Sequence, residues 1–403
     1  MDTYIFDAVR SPRGKGSAKK GALKDIKPID LLSQLYAALE SRTGVKDQEV
    51  ESVILGCVGQ VGGQGSNLAK VSTLYHNWGH HIEGLTVNTF CTSALTAIGL
   101  AKAKINAGMS DLVIAGGIEM LSSVPMFADK GAWFSDDEVV QKTDFTHMGV
   151  SADLIASMEG FSREELDDYA IQSHQRAAHA TENGYFFNDV IPVVNEKNET
   201  VLEHDECIRP MSSRDSMQRF EPVFGHFISA HISKKIKEKY PRLQQLRHVH
   251  HIGNSPTMAD GASLLLMGSL EKGKALGLKP RAKIRAFDST SCEPLIMLLG
   301  GQYSVQNAVE KAGLKMENID LHNFAEAFSA TCLKYQKDLN VAPGKFNVNG
   351  CTMSMGHAQG ASGAMITTTL LGEMERRNVQ FGVAGISGGA GLGAAVVLER
   401  MEN

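Results

Sequence analysis

The feature that most constrains the fold is an internal duplication, with related segments about half a chain apart. The segment "GVKDQEVESV" at residues 44–53 resembles "GLKMENIDLH" at residues 313–322, and three further pairs of segments, one before and two after, keep the same order in both halves. A repeated order of this kind predicts two duplicated α/β units. Each unit would supply one strand-to-helix corner to a cleft that the two units share.

Strand and helix signals alternate along both halves, which favours a layered α/β fold. In the first half, "YIFDAVR" and "LTVNTF" predict strands, and "PIDLLSQLYAALESRTG" predicts an amphipathic helix that ends near Gly44. By the duplication, "GKFNVNG" before His357 should form a strand like the one before Cys91. We expect "GNSPTMADGASLLLMG" to be a loop that enters a buried strand, with Asp260–Gly261 as the turn.

The stretch between the two halves has a different character. Ser162 and Glu165 form the signature of a capping box and predict a helix start. The basic run at residues 233–251 fits either a solvated face or a phosphate site, and we favour the solvated face. The predicted division is an N-terminal half at 1–120 completed by about 251–270, a loop domain at 121–250 and a C-terminal half at 271–403.

Composition excludes several classes of protein. The net charge of -5 over 403 residues supplies no basic excess for binding nucleic acid. The six cysteines are scattered without a Cys-x-x-Cys pair, which predicts neither a zinc site nor a disulfide framework and indicates a reducing compartment. There is no run of eighteen apolar residues and no apolar signal core, so we expect a cytoplasmic protein without a membrane span.

Cys91 lies where a β-branched run gives way to small residues at helical spacing, "LTVNTFCTSALTAIGL". It is either an inert buried hydrophobe or a thiolate at a helix N-terminus. The second position would lower the pKa of the thiol from about 8.5 to roughly 3.5–7.5. The sequence alone leaves both interpretations open.

His357 occupies the equivalent corner of the second half, within "MSMGHAQGASGAM". A histidine at this position is a candidate general base for Cys91. The glycine-rich stretch at 385–397 predicts a strand, a tight turn and a strand, and its backbone N–H groups suit an oxyanion hole better than a phosphate site. Glu326 lies in an apolar stretch and is either a structural carboxylate or one that orients site residues.

Together these blocks resemble the thiolase family, the acyl-CoA C-acyltransferases. The resemblance extends over nearly the whole chain, from "DAVRSPRGKGSAKKGALKD" through "GGIEMLS", "HMGVSA" and "MGHAQGASGA" to "GLGAAVVLER". It implies a five-layered αβαβα sandwich of two similar halves with an inserted loop domain, and homodimeric or homotetrameric assembly. It also implies coenzyme A and its acyl thioesters as substrates, with no metal or other cofactor.

The resemblance implies a role for each matching residue. Cys91 would take up the acyl group as a thioester, His357 would activate it, and Gly389 would offer a backbone N–H to the oxyanion together with Cys91. Met148 matches a substrate-lining element, and Ser255 is adjacent to the position at which relatives contact pantetheine.

Three positions depart from the family pattern. Ser387 stands where the family usually has a second cysteine, the acid and base for the substrate α-carbon, and a hydroxyl is a far weaker acid than a thiol. Ala325 precedes Glu326 where the family has an asparagine or histidine that holds a water against the substrate carbonyl. Pro256 occupies the pantetheine-contacting serine position. Cys351 is a candidate replacement for the second cysteine. His322 or Asn323 could replace the side chain that is missing at Ala325.

The first hypothesis is therefore an acyl-CoA C-acyltransferase that forms acyl-Cys91 and catalyses reversible Claisen condensation and thiolysis. A second is a specialised acyltransferase or thioesterase that uses acyl-Cys91 without deprotonating an α-carbon. A third is a non-catalytic thiolase-like subunit of an acyl-CoA complex.

Overall fold

The computed structural model describes residues 2–402 and has alternating strands and helices in both halves of the chain. The strands are β1 (Tyr4–Arg10), β2 (Gly14–Lys15), β3 (Ser52–Gly56), β4 (Glu83–Val87), β5 (Leu112–Met120), β6 (Val193–Val194), β7 (Thr200–Leu202), β8 (Ala259–Gly268), β9 (Ala282–Ser291), β10 (Leu321–Phe324), β11 (Phe381–Ser387) and β12 (Leu392–Arg400).

The helices begin and end at positions with recognisable local chemistry. They are α1 (Pro28–Thr43), α2 (Leu68–Tyr75), α3 (Ser93–Asn106), α4 (Ala132–Ser135), α5 (Asp137–Lys142), α6 (Met148–Glu159), α7 (Arg163–Glu182), α8 (Arg214–Met217), α9 (Ala230–Lys239), α10 (Leu270–Ala275), α11 (Gly300–Lys311), α12 (Ser329–Leu339), α13 (Thr352–Met355) and α14 (Gln359–Arg377). As expected, α1 ends at Gly44, whose φ of 72° closes the helix in the left-handed conformation.

The main sheet follows the order β10-β11-β12-β9-β1-β8-β5-β3-β4, and the two halves of the chain occupy its two ends. They meet where β1 pairs with β9 through only two residue pairs, Tyr4 with Lys283 and Ile5 with Ala282. In the first half, β3 and β5 are parallel and β5, β8 and β1 are antiparallel. The second half repeats this pattern with β10, β11, β12 and β9.

The second half has no counterpart of β4, so the strand expected before His357 is wrong. Phe346 forms only an isolated bridge with His322. The side chain of Asn347 replaces the missing strand: its Oδ1 accepts the N–H of Phe324 and its Nδ2 donates to the carbonyl of Phe324, both within 2.9 Å. Asn347 itself has a φ of 43°, which turns the backbone away from an extended course.

Side chains alternate between two faces along each strand, and this alternation produces the layers. Val396 and Leu398 of β12 pack on a central cluster that contains residues of α3 and α14, whereas Val397 faces α11 and α12. In the first half, α1 and α2 cover the outer face of the sheet. The two ends of the main sheet therefore lie on either side of α3 and α14, and each end has helices on its outer face. This order of helices, sheet, helices, sheet, helices confirms the expected αβαβα fold.

The turn expected at Asp260–Gly261 is wrong, because both residues lie inside β8 and pair with Met120 and Glu119. An Asp-Gly pair commonly marks a turn. Here the buried carboxylate of Asp260 instead accepts the N–H of Ser122, 2.8 Å away, and secures the chain as it leaves β5.

The stretch between β5 and β8 contains α4 to α9 and the ribbon of β6 and β7. The capping box is confirmed: the hydroxyl of Ser162 accepts the N–H of Glu165, and the Glu165 carboxylate accepts the N–H of Ser162. In the basic run, α9 buries Ile236 and leaves its lysines in solvent, as a solvated face requires.

Across residues 2–402, helices that combine the length and the apolar character needed to cross a membrane are absent.

The closest packing between the central helices depends on Gly363 of α14. A Cβ atom there would lie 2.7 Å from the backbone nitrogen of Leu95 in α3. We expect Gly363→Ala to destabilise the fold by about 1–3 kcal/mol, because the overlap involves backbone rather than a movable side chain. Urea denaturation would measure the change. Gly344→Ala is the matched control, since a Cβ at Gly344 meets no atom within 4 Å. Equal effects of the two substitutions would contradict this account.

Candidate active site

A cavity of about 400 Å³ opens where the N-terminal ends of α3 and α14 converge, and Cys91 and His357 both line it. The stretch between β5 and β8 closes the opposite side with His147, Met148 and Phe224. Apolar side chains dominate the lining, namely Met126, Met148, Phe224, Ile252, Leu298, Phe328 and Ile386. Such a cavity suits an apolar chain that carries a few polar groups.

Cys91 projects into the cavity from a tight corner between β4 and α3. Phe90, immediately before it, has a φ of 52°, an unusual conformation for an aromatic residue. Hydrogen bonds hold the corner: the hydroxyl of Ser93 donates to the Phe90 carbonyl and accepts the N–H of Thr89. Backbone strain of this kind persists only where the surroundings fix it, and it is common at functional sites.

His357 enters the cavity from the corresponding corner before α14. Its Nε2 lies 3.3 Å from the Sγ of Cys91, and its Nδ1 lies 2.8 Å from the hydroxyl of Ser362. When the thiol donates to Nε2, the ring proton sits on Nδ1 and is donated to Ser362. The two corners thus bring together a thiol and a correctly oriented base.

Burial dominates the ionisation of the thiol, and the position of Cys91 before α3 does not lower its pKa. Burial, and then the charge of Glu119, raise the pKa of Cys91 to about 12. Burial, and then the charge of Arg13, lower the pKa of His357 to about 4. Because α3 begins two residues later, at Ser93, its N-terminus does not overcome these effects. At neutral pH the resting pair is a thiol and a neutral imidazole.

The glycine-rich turn lies beside Cys91. β11, the turn and β12 have the predicted strand, turn and strand form. A Cβ on Gly388 would lie 3.6 Å from the backbone nitrogen of Cys91, and one on Gly389 would lie 3.2 Å from the rings of Phe90 and Trp133. The glycine-rich turn therefore packs directly against the corner that carries Cys91.

Ser387 lines the cavity, but its hydroxyl is already engaged. The Oγ donates to the carbonyl of Leu298 at 2.6 Å and accepts the N–H of Gly301 at 3.0 Å. The side chain therefore connects the end of β11 to the start of α11. Its proton is directed at a backbone carbonyl rather than at the cavity.

Glu326 is directed away from the cavity, although its neighbours Ala325 and Ala327 line it. Its carboxylate accepts the hydroxyls of Tyr169 and Ser173 and the N–H of Met353. Burial raises the pKa of Glu326. The residue acts as a buried anchor between α7 and α13.

The other residues identified from the sequence divide into two groups. Met148, Ser255 and Pro256 line the cavity, and the hydroxyl of Ser255 donates to the carbonyl of His251. The suggested replacements Cys351, His322 and Asn323 are buried and do not line the cavity. Burial raises the pKa of the Cys351 thiol to about 12, so it offers no accessible acid.

Sequence reasoning missed residues that organise the two corners. Ser362 orients the His357 ring. Glu119 accepts the N–H groups of Val58, Gly59 and Gly360 and thereby joins the loop after β3 to the first turn of α14. The position of Ser362, five residues after His357 on α14, was a signal available in the sequence. The role of Glu119 depends on contacts between distant segments.

In the described part of the chain, no group of three or more His, Cys, Asp or Glu side chains is arranged to hold a metal ion.

The raised pKa of Cys91 leads to a testable pH profile. Below the pKa, the thiolate fraction rises tenfold per pH unit, so alkylation by iodoacetamide should accelerate by roughly a hundredfold from pH 7 to pH 9. Mass spectrometry of the digested protein would measure Cys91 alone, with the half-buried Cys292 in the same digest as an internal control. A rate that is already constant at neutral pH would instead indicate a resting thiolate–imidazolium pair.

The comparisons agree over the whole chain. Residues 3–228 match the thiolase N-terminal domain and residues 278–400 match the thiolase C-terminal domain. A 3-ketoacyl-CoA thiolase of Serratia proteamaculans is 36% identical, over 99% of this chain and 100% of the relative. One of Photorhabdus laumondii is 34% identical over 100% of both. The crystal structure of the Bacillus anthracis acetyl-CoA acetyltransferase superposes with a TM-score of 0.86 at 30% identity, over 99% of each chain. The chain belongs to the thiolase family.

Proposed function

We propose that this chain, an acyl-CoA C-acyltransferase, carries its acyl group as a thioester on Cys91. The observation that supports this most directly is the 3.3 Å approach of His357 Nε2 to Cys91 Sγ inside an apolar cavity. Its relatives are 3-ketoacyl-CoA thiolases and its structural neighbour is an acetyl-CoA acetyltransferase. We therefore propose coenzyme A thioesters as substrates, in fatty acid metabolism, with no metal or other cofactor.

In the first half-reaction, Cys91 attacks the carbonyl carbon of the acyl group while His357 Nε2 takes the thiol proton. The carbonyl oxygen acquires negative charge, and we assign the N–H groups of Cys91 and Gly389 as its donors. The bond to the leaving group then breaks. When that group is a coenzyme A thiolate, it takes up the proton that His357 holds, and the charges balance.

Carbon–carbon cleavage of a 3-oxoacyl-CoA needs one more proton transfer. The bond between C2 and C3 breaks, its electron pair passes to C2 and the thioester oxygen, and C2 must be protonated. Because the Ser387 proton is bound to the Leu298 carbonyl, we propose that His357 returns to C2 the proton it took from Cys91. One base thus serves both steps, and the carbon–carbon step is slower than with a dedicated acid.

Because the Ser387 hydroxyl is already hydrogen-bonded to backbone groups, a second function also fits the site. An acyltransferase or thioesterase would use acyl-Cys91 and need no proton at an α-carbon. A non-catalytic subunit is disfavoured, because binding alone requires neither a thiol nor a base oriented by Ser362.

We also propose that the protein is a cytoplasmic homodimer. Within each chain we propose three parts, namely an N-terminal half at 1–120 completed by 251–270, a loop domain at 121–250 and a C-terminal half at 271–403. All six cysteines are free, which fits a reducing compartment. β4 is an edge strand of the main sheet, and exposed Leu85 on β4 lies on the same end as exposed Val71 and Leu74 on α2. An unpaired edge with apolar neighbours favours pairing with a second copy.

Acylation can be tested by intact mass after incubation with acetyl-CoA. We expect one acetyl group on the wild-type protein and none on Cys91→Ala. His357→Asn should slow the appearance of the adduct by roughly 10²–10⁴-fold, because it removes the base. Absence of an adduct with several acyl-CoAs would favour the non-catalytic subunit.

Ser387→Cys tests the carbon–carbon step. A thiol is a far stronger acid than a hydroxyl, so thiolysis of a 3-oxoacyl-CoA should accelerate by at least about tenfold. Ser387→Ala is the control for the loss of two hydrogen bonds, which should destabilise the fold by about 1–3 kcal/mol. If turnover stays unchanged in Ser387→Cys, a different group already supplies the proton to C2, and the lack of a thiol at this position does not limit the reaction.

A further inference from the structure

We propose that His147 is a further catalytic residue, whose Nε2–H donates to the thioester oxygen of the substrate while C2 carries negative charge. The proposal rests on the proposed function and concerns its carbon–carbon step alone. It would supply the polar contact that Ala325, with its methyl side chain, cannot make.

Most polar side chains in the cavity are already hydrogen-bonded within the protein, which leaves few that can bind a substrate oxygen. Cys91 and His357 are hydrogen-bonded to each other, and the hydroxyls of Ser255 and Ser387 donate to backbone carbonyls. The side-chain amide of Gln359 donates to the sulfur of Met126. Among residues 2–402, no protein group is hydrogen-bonded to the Nε2 of His147. In the same part of the chain, the hydroxyl of Thr257 is the other side-chain donor of the cavity without a hydrogen-bond partner.

The tautomer of His147 is fixed by its position at the start of α6. Its Nδ1 accepts the N–H of Gly149 at 3.1 Å, which caps the helix. The ring proton of the neutral form must therefore be on Nε2. Burial lowers the pKa of His147, so the ring is neutral at pH 7 and acts as a donor rather than as a cation.

Stacking fixes the plane of the His147 ring. The His147 ring lies 4.3 Å from the ring of Phe227 at an angle of 15° and 5.4 Å from that of Phe224 at 24°. A donor held in place before the reaction needs no reorganisation when charge develops, which makes such groups effective in catalysis. The hydroxyl of Thr257 has no ring contacts of this kind.

The proton and electron balance of the step is unchanged by this assignment. As the C2–C3 bond breaks, the electron pair is shared between C2 and the thioester oxygen, and the Nε2–H of His147 stabilises that oxygen without transferring its proton. His357 protonates C2. Transfer of an acyl group from acyl-CoA to Cys91 places negative charge on the oxygen assigned to the N–H groups of Cys91 and Gly389 and none on C2, so His147 should matter far more in thiolysis than in this transfer.

Two assays separate these reactions. Exchange of labelled coenzyme A into acetyl-CoA needs only acyl-Cys91, whereas thiolysis of 3-oxoacyl-CoA also needs the carbon–carbon step. We expect His147→Phe, which retains a stacking ring, to lower kcat for thiolysis by roughly 10²–10³-fold and to slow exchange by a far smaller factor. His147→Asn keeps an oxygen to cap α6 and should show the same pattern if His147→Phe fails to fold.

His226→Phe is the matched control, because His226 is an exposed histidine between Phe224 and Phe227 that does not line the cavity. Equal loss of both reactions in His147→Phe, undiminished thiolysis, or an equivalent loss in Thr257→Val would each overturn the proposal. So would a wild-type protein that exchanges coenzyme A but does not cleave 3-oxoacyl-CoA. A wild-type protein without exchange would instead refute the proposed function, and this inference with it.

Discussion

The close approach of α3 and α14 determines where the chemistry can occur. Both helices lie in the central layer, and the lack of a side chain at Gly363 lets α14 reach the backbone of α3. Cys91 directly precedes one helix and His357 the other, so the packing that fills the core also sets the 3.3 Å distance between sulfur and nitrogen. Reactive groups held on rigid elements retain their orientation without further cost at the moment of reaction.

The electrostatics of the two corners favour a neutral resting state. Glu119 joins the loop after β3 to α14, and its charge also raises the pKa of Cys91. Burial lowers the pKa of His357 to about 4, so transfer of the thiol proton is unfavourable until a carbonyl carbon accepts the sulfur. A thiol held in this way is protected from alkylation and oxidation between turnovers, because the thiolate is the reactive form.

Local signals in the sequence were sufficient for the duplicated α/β fold, the end of α1 at Gly44 and the capping box of α7. They failed where a side chain performs the role of backbone. Asn347 satisfies the edge of β10 that a strand would otherwise cover, and the resulting loop has no strand signal of its own. The site was predictable as a pair of corners, but the ionisation of Cys91 depends on burial and on Glu119, which is distant in sequence.

Ser387 organises a hydrogen-bonding network at the wall of the cavity. Its hydroxyl is bonded to the Leu298 carbonyl and the Gly301 N–H, both at the start of α11, and Leu298 also lines the cavity. A thiol is a weak hydrogen-bond donor and acceptor and would not hold these two backbone groups as firmly. The serine therefore favours the order of the cavity wall over an additional proton donor. In the proposed mechanism proton transfer then depends on His357, whose Nε2 lies 3.3 Å from the Cys91 sulfur.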